Sequence, residues 1–124
     1  MRHFDLTYDF DAISAWYLAR GLPVIPATSY PLHGFVEPNI AAGFLYLTDS
    51  DIGLVEGLIS NPAASKIAAA RALDQILNGL VGLATKLRVK RLLGFSKLDS
   101  TRRLSERHGF KHSSYYAMQT KELE

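Results

Sequence analysis

Residues 52–77 read IGLVEGLISNPAASKIAAARALDQIL, and the hydrophobic pattern changes within this stretch. Ile52–Ser60 is mostly apolar, which predicts a β-strand. Over Pro62–Arg88, apolar residues recur at intervals of three and four, and polar residues occupy the other side. This spacing predicts a long amphipathic helix that lies on a sheet.

The residues before this stretch predict further strands. Ile40–Thr48 is β-rich and largely apolar, and residues 49–51 (Asp-Ser-Asp) have the composition of a turn. Ile40–Thr48 and Ile52–Ser60 are therefore expected to form an antiparallel hairpin. Pro23–Pro38 is irregular and rich in proline, with a short strand predicted at Leu32–Glu37.

The N-terminal residues predict a strand followed by a helix. Apolar and polar residues alternate over Arg2–Tyr8, as in a strand with one buried face. Asp9 or Asp11 can cap the helix that follows, because a carboxylate accepts the free N–H groups of a first helical turn. The helix is expected to run to about Arg20, where Gly21 ends it.

The C-terminal residues predict a strand, a short helix and a last strand. Val89–Ser96 is an apolar strand, and either Asp99 or Ser100 caps a helix through Arg107. Phe110–Thr120 is predicted as a long strand, which contains Tyr115, Tyr116 and Met118. The element order is therefore β-α-(β)-β-β-α-β-α-β with mixed pairing.

Length and composition are those of one globular domain over residues 1–124. Of the 124 residues, 48% are hydrophobic and 21% are charged, so a single core can form. The absence of cysteine excludes disulfides and thiolate metal sites. Neither a signal peptide nor an uninterrupted apolar span is readable, and we expect a cytoplasmic protein without a membrane partner.

The charge is unevenly distributed along the chain. Residues 86–111 carry nine basic and two acidic side chains, although the whole chain has a formal net charge of only +2. This basic segment suggests a polyanionic partner, and the alternative is an ordinary solvated surface. Few aromatic residues interleave with these charges, so nucleic acid is an unlikely partner. The four histidines show no metal-ligand spacing, and we expect no metal site.

Four short strings together resemble one enzyme family. They are AAGFLYL at 41–47, EGLISNP at 56–62, AL at 72–73 and RLSERHGFK at 103–111. Their order and spacing are similar to those of the GNAT superfamily of N-acetyltransferases, over roughly two thirds of the chain. The resemblance implies an α/β (α+β) fold, with a mixed, mostly antiparallel sheet and helices on both of its faces.

The resemblance also implies a binding mode for acetyl-CoA. The cofactor would lie between the fourth and fifth strands, which splay apart in the family. Backbone groups of Ile59, Ser60 and Asn61 would pair with the pantetheine amides as an added strand does. The pyrophosphate would lie at the N-terminus of the long helix, where free N–H groups and the helix dipole favour an anion.

Glu56 is the candidate general base. A period of two places it on one strand face with Ile52, Leu54 and Leu58. A carboxylate among apolar neighbours has a raised pKa, which suits proton abstraction near neutral pH. Its position also corresponds to an acidic residue that serves as base in the family. The alternative is a structural glutamate paired with an arginine or an edge amide.

The phosphate loop departs from the family pattern, which reads Arg/Gln-x-x-Gly-x-Gly/Ala. Here Ser65 replaces the Arg or Gln, and Ala68 and Ala70 replace glycines. Alanine adopts positive φ poorly, so the anion site could shift or vanish. The positive charges of Lys66 and Arg71 could compensate for these changes.

A second departure concerns the general acid. Ser105 stands where many family members have a tyrosine, and a serine hydroxyl is a poor proton donor to a thiolate. The leading hypothesis is an acetyl-CoA-dependent N-acetyltransferase acting on an amine of a small molecule or a protein, as a monomer or homodimer. The alternative is a non-catalytic GNAT-like interaction module that has lost the cofactor site.

Overall fold

The computed structural model describes residues 1–95, 99–112 and 119–123 of the chain. The elements are β1 (Arg2–His3), α1 (Leu6–Ala19), a 3-10 turn (Ala27–Ser29), β2 (His33–Glu37), β3 (Ala41–Leu47), β4 (Ile52–Ser60), α2 (Lys66–Lys86), β5 (Arg91–Gly94) and α3 (Asp99–Arg107). The described strands form one sheet in the order β1-β2-β3-β4-β5, in which β4 and β5 run parallel and all other neighbours are antiparallel.

The hairpin of β3 and β4 confirms the central prediction. β4 spans the predicted residues, and Leu45 pairs with Val55 in antiparallel register. β2 also begins within one residue of the predicted short strand. These strands form as predicted because their apolar residues face helices on both sides of the sheet.

The predicted strand at Arg2–Tyr8 is wrong beyond His3. The chain turns into α1 at Leu6, because the carboxylate of Asp5 accepts the Thr7 N–H at 2.9 Å and caps the helix. Capping by Asp5 therefore outweighs the alternating pattern. The predicted caps, Asp9 and Asp11, lie inside the helix instead.

Asp9 fastens α1 to the first strand. Its side chain is only 5% exposed and accepts two hydrogen bonds from the Arg2 guanidinium, at 2.7 and 2.9 Å. The Asp5 N–H donates a third, at 2.8 Å. Burial by itself raises the pKa of Asp9, but these bonds and the Arg2 charge together lower it below its ordinary value.

The long helix begins four residues later than predicted. Ser65 is its N-cap, with the side-chain oxygen accepting the Ala68 N–H at 3.1 Å. Asn61, which precedes the predicted helix, closes a turn in which its side-chain oxygen accepts the Ala63 N–H. The helix ends at Lys86, slightly before the predicted end.

The two helices cover opposite faces of the sheet, as predicted. On the α2 face the buried residues are aliphatic: Ala41, Leu45, Val55, Ala72, Ile76, Leu77, Leu80, Ala84 and Leu104. On the α1 face they include large aromatic rings: Ile13, Trp16, Tyr17, Val36, Ala42, Phe44 and Ile59. By length and composition α2 is also apolar enough to cross a membrane, a property expected of a helix that covers a hydrophobic sheet face.

The C-terminal predictions are only partly testable. β5 is shorter than the predicted Val89–Ser96, and α3 ends at Arg107 as predicted. Most of the predicted last strand lies outside the described residues, which exclude 113–118 and with them Tyr115, Tyr116 and Met118. That strand stays a prediction.

Candidate functional site

The parallel pairing of the fourth and fifth strands ends halfway along β4. It runs from Ile52 beside Arg91 to Val55 beside Gly94, which is the last residue of β5. Glu56–Ser60 continues next to β3, and no described strand pairs with its other edge. Among the described residues this edge of β4 is therefore open, and the splaying of the two strands that the family resemblance implied stays a prediction.

A β-bulge in β4 follows closely after Val55, the last residue that pairs with β5. Between the pairs Ala42–Ile59 and Phe44–Glu56, β3 advances by two residues and β4 by three. Gly57 absorbs the extra residue with a φ of 70°, a conformation that side chains other than glycine rarely adopt. A Cβ at this position would also lie 2.8 Å from the Phe44 ring, so only glycine fits.

The bulge removes one residue, Leu58, from the strand face that was predicted for Glu56. The period of two grouped Glu56 with Ile52, Leu54 and Leu58, but the extra residue inverts the alternation after Glu56. Leu58 packs into the aliphatic core under α2. Glu56 faces α1, on the same side of the sheet as Tyr46.

Glu56 is half-buried beside two tyrosines. Tyr17 donates its hydroxyl proton to the Gly57 carbonyl at 3.1 Å, and Tyr46 donates to the Ser29 carbonyl at 3.1 Å. Burial raises the pKa of the Glu56 carboxyl, and a hydrogen bond from the Gly57 N–H opposes this only in part. No Lys or Arg lies within 4 Å of the carboxylate in the described part of the chain. Such a carboxyl group can accept a proton closer to neutral pH than an exposed glutamate.

The start of α2 has the features of an anion site without its usual glycines. Ser65, Lys66, Ala70 and Arg71 are exposed there, and the first turn contains no acidic residue. Among the described non-glycine residues, positive φ occurs only at positions 39 and 88. Ala68 and Ala70 therefore have ordinary helical backbone, and the expected strain at these positions is absent.

The three predicted partners of pantetheine differ in the direction of their backbone groups. The Asn61 N–H donates to the Ile40 carbonyl at 2.8 Å, toward β3. Since backbone groups alternate in direction along a strand, those of Ile59 also point toward β3 and those of Ser60 point to the open edge. Asn61 thus has no N–H to offer at the open edge in this arrangement.

Arg20 is a site residue that the sequence analysis treated only as the helix end. It is the C-cap of α1. Its Nε donates to the Ser60 carbonyl at 2.9 Å, and its Nη2 donates to the Ser60 hydroxyl at 2.8 Å. The contact joins residues 40 positions apart. The helical spacing of Tyr17 and Arg20 places both on the side of α1 that meets β4.

Ser105 lies on α3, which is fastened to α2 rather than to the α1 face. Leu104 is buried in the aliphatic core, and His108 Nε2 lies 2.8 Å from Asp74 Oδ1 on α2. Glu56 projects to the opposite face of the sheet. The role of Ser105 as general acid stays a prediction.

The first cations of the basic segment lie far from the start of α2. Lys86, Arg88, Lys90 and Arg91 lie at the end of α2 and the start of β5. The 21 residues of α2 separate them by about 30 Å from the helix N-terminus. These four cations therefore cannot contact an anion bound at Ser65. A polyanionic partner of the segment stays a prediction.

Comparison with known proteins identifies the fold through structure. No family model matches the chain, and no curated protein matches its sequence. Rv2747 from Mycobacterium tuberculosis, crystallised with CoA and NLQ, is 17% identical with a TM-score of 0.73, over 95% of this chain and 75% of that one.

Two further acetyltransferase structures cover nearly the whole of both chains. A predicted acetyltransferase from Clostridium acetobutylicum, determined with acetyl-CoA, is 15% identical with a TM-score of 0.66, over 96% of this chain and 94% of that one. A Trypanosoma brucei acetyltransferase is 10% identical with a TM-score of 0.65, over 97% of each chain. At these identities the comparison concerns the fold alone: this chain has the GNAT-like α+β fold of divergent acetyltransferases, as the resemblance predicted.

Proposed function

We propose that this protein transfers an acetyl group from acetyl-CoA to an amine of a small molecule or a protein. The observation that carries the proposal is the open edge of β4 after Val55, which lies between Glu56 and the start of α2. The extended pantetheine arm of acetyl-CoA can pair with the open strand edge, and its pyrophosphate can then lie at the start of α2. Two proteins with this fold were determined with CoA or acetyl-CoA.

The residues around the edge fit this cofactor. The backbone of Ser60 points to the open side and can pair with a pantetheine amide, with Ile59 and Asn61 holding the strand against β3. The N–H groups at Lys66 and Ile67 have no partner inside the helix, because first-turn N–H groups precede the helical ladder. Together with the Ser65 hydroxyl they suit the pyrophosphate. The remaining proposed contacts in this first part of α2 are Ala68, Ala70 and Arg71.

Glu56 supplies the acid–base chemistry of the proposal. Acetyl-CoA brings a thioester, whose C–S bond breaks as the amine nitrogen forms the new C–N bond. The attacking nitrogen must lose a proton, and Glu56 accepts it because burial raises the affinity of this carboxylate for protons. The leaving thiolate of CoA takes up a proton, which we assign to solvent or to Ser105.

A non-catalytic module is the second candidate, and it rests on the altered phosphate loop. Loss of the loop glycines would remove the anion site if those positions required positive φ. Ala68 and Ala70 adopt ordinary helical backbone here, so that argument loses its main support. Ser65 in place of an Arg or Gln still removes a long side-chain hydrogen-bond donor from the pyrophosphate site.

Titration calorimetry with acetyl-CoA tests the proposal, with CoA lacking the 3′-phosphate as the control ligand. We expect one-to-one binding with a Kd on the order of micromolar. Lys66→Ala at the first residue of α2 should weaken binding by about three- to tenfold, because one charged contact is lost. Lys86→Ala at the last residue of the same helix should leave the affinity unchanged.

The opposite result is equally informative. If millimolar acetyl-CoA produces neither heat nor a thermal shift, the fold has lost its cofactor and the interaction module becomes the leading function. Equal effects of the two lysine substitutions would place the anion away from the α2 N-terminus.

A further inference from the structure

The last turn of α1 lies along the open segment of β4 and uses its backbone oxygens. Tyr17 and Arg20, three residues apart on the helix, donate to the carbonyls of Gly57 and Ser60, three residues apart on the bulged strand. Arg20 adds a second bond to the Ser60 hydroxyl at 2.8 Å. A planar guanidinium group therefore lies across the strand edge at Ser60.

This position conflicts with pairing by any extended ligand. The Ser60 carbonyl points away from β3, so an added strand would place an amide N–H where Arg20 Nε now donates. The second bond, to the hydroxyl, holds the guanidinium in the same place. The arginine contact and a paired amide arm cannot occupy this edge together.

We propose that Arg20 is a latch on the cofactor edge, and that a pantetheine arm binds only after the Arg20–Ser60 hydrogen bonds break. The inference rests on the proposed function, which assigns that arm to β4. It makes Arg20 a determinant of cofactor affinity that opposes binding.

The latch is of a kind that can open. Its acceptors are neutral oxygens, and no carboxylate of the described residues lies within 4 Å of the guanidinium. Arg20 is exposed, so water can replace its hydrogen bonds when it leaves. The guanidinium donor is charged, but exposed hydrogen bonds to neutral oxygens have a modest net value, which predicts a moderate penalty on binding rather than a block.

Arg20→Met tests the latch, since methionine keeps an aliphatic stem and removes every donor. We expect CoA to bind the variant about three- to tenfold more tightly than the wild type, as expected for the loss of two exposed hydrogen bonds. Pantetheine without a nucleotide should gain by the same factor, because the contact concerns the arm alone. Ser60→Ala removes one of the two bonds and should show a smaller gain, and Lys86→Met, which loses the same charge, should show none.

Other outcomes overturn the inference in distinguishable ways. Weaker CoA binding by Arg20→Met with unchanged pantetheine binding would make Arg20 a nucleotide contact, and unchanged affinity for both would show that the edge is not latched. If neither protein binds CoA at millimolar concentration, the proposed function fails as well.

The latch itself is measurable without a ligand. In NMR spectra of the ligand-free wild type, a bonded Arg20 Nε–H should exchange slowly and resonate apart from the other arginines. Rapid exchange at this nitrogen would show that the contact is not maintained, whatever the binding data give.

Discussion

The two halves of β4 differ in what surrounds them. Ile52–Val55 is paired with β3 on one edge and with β5 on the other, and Val55 packs into the aliphatic core. Glu56–Ser60 is paired with β3 alone, carries the bulge at Gly57 and has side chains of α1 on its carbonyls. One strand thus serves as scaffold in its first half and presents, in its second, the open edge at which we propose that the cofactor binds.

The contrast shows how a stable sheet can present an open edge. Unpaired backbone groups are a liability unless something occupies them. In the second half the side chains of Tyr17 and Arg20 donate hydrogen bonds to two of the carbonyls. A ligand can displace a side chain more easily than it can displace a paired strand. The first half, paired on both edges, holds the opening in place.

The largest expected effect comes from removing the charge in the second half. Glu56→Gln should lower kcat by about 100-fold or more, because the amide cannot accept a proton. Acetyl-CoA affinity should stay the same, and kcat of the wild type should rise with pH around a midpoint above the ordinary glutamate pKa. Steady-state rates across pH measure both. Glu37→Gln on β2 is the charge-matched control, and an unchanged rate in Glu56→Gln would remove this residue from the mechanism.

Gly57→Ala attacks the bulge that divides the strand. Left-handed backbone and the contact with Phe44 should together cost about 2–3 kcal/mol in the free energy of unfolding. Acetyl-CoA binding should weaken too, because the bulge positions the open edge. Gly82→Ala is the matched control: a Cβ there meets nothing within 4 Å, and the helix should gain about 1 kcal/mol. Denaturant unfolding that shows no loss for Gly57→Ala would mean that the bulge is dispensable.

Val55→Ala tests the scaffold half. Truncation of this buried side chain should cost about 2 kcal/mol of unfolding free energy through lost burial and a small cavity. The Kd for acetyl-CoA should change less than about twofold, since the edge lies beyond Val55. A large loss of affinity at unchanged stability would show that the two halves are not separate in function.

The smallest expected effect is a pH-dependent gain in stability for Glu56→Gln. Burial raises the pKa of Glu56 in the folded protein above its unfolded value. The stability that the protonated Glu56 carboxyl group contributes is therefore fully present below its pKa in the unfolded chain, and it is lost as the pH rises through its pKa in the folded protein. The variant should match the wild type near pH 4 and melt a few degrees higher near pH 8. Equal melting temperatures across this range would indicate a well-solvated carboxylate.

The amino-acid sequence by itself determined the hairpin of β3 and β4, the long helix on the sheet and the class of fold. These features depend on local periodicity and on contiguous strings, which a single sequence contains. It also singled out Glu56, because the residue interrupts an apolar strand. The start of α1 was misplaced, since a cap at Asp5 and an alternating pattern compete over the same few residues.

Only the tertiary structure decided that Leu58 leaves the strand face of Glu56, that Ser65 caps α2 and that Arg20 contacts Ser60. The bulge at Gly57 depends on how β3 and β4 align, and it reverses the side-chain alternation that a sequence period assumes. The contact between Arg20 and Ser60 joins residues 40 positions apart, and no local pattern encodes it. The 21 residues of α2 place Lys86 about 30 Å from Ser65, a distance that a charge count along the chain does not reveal.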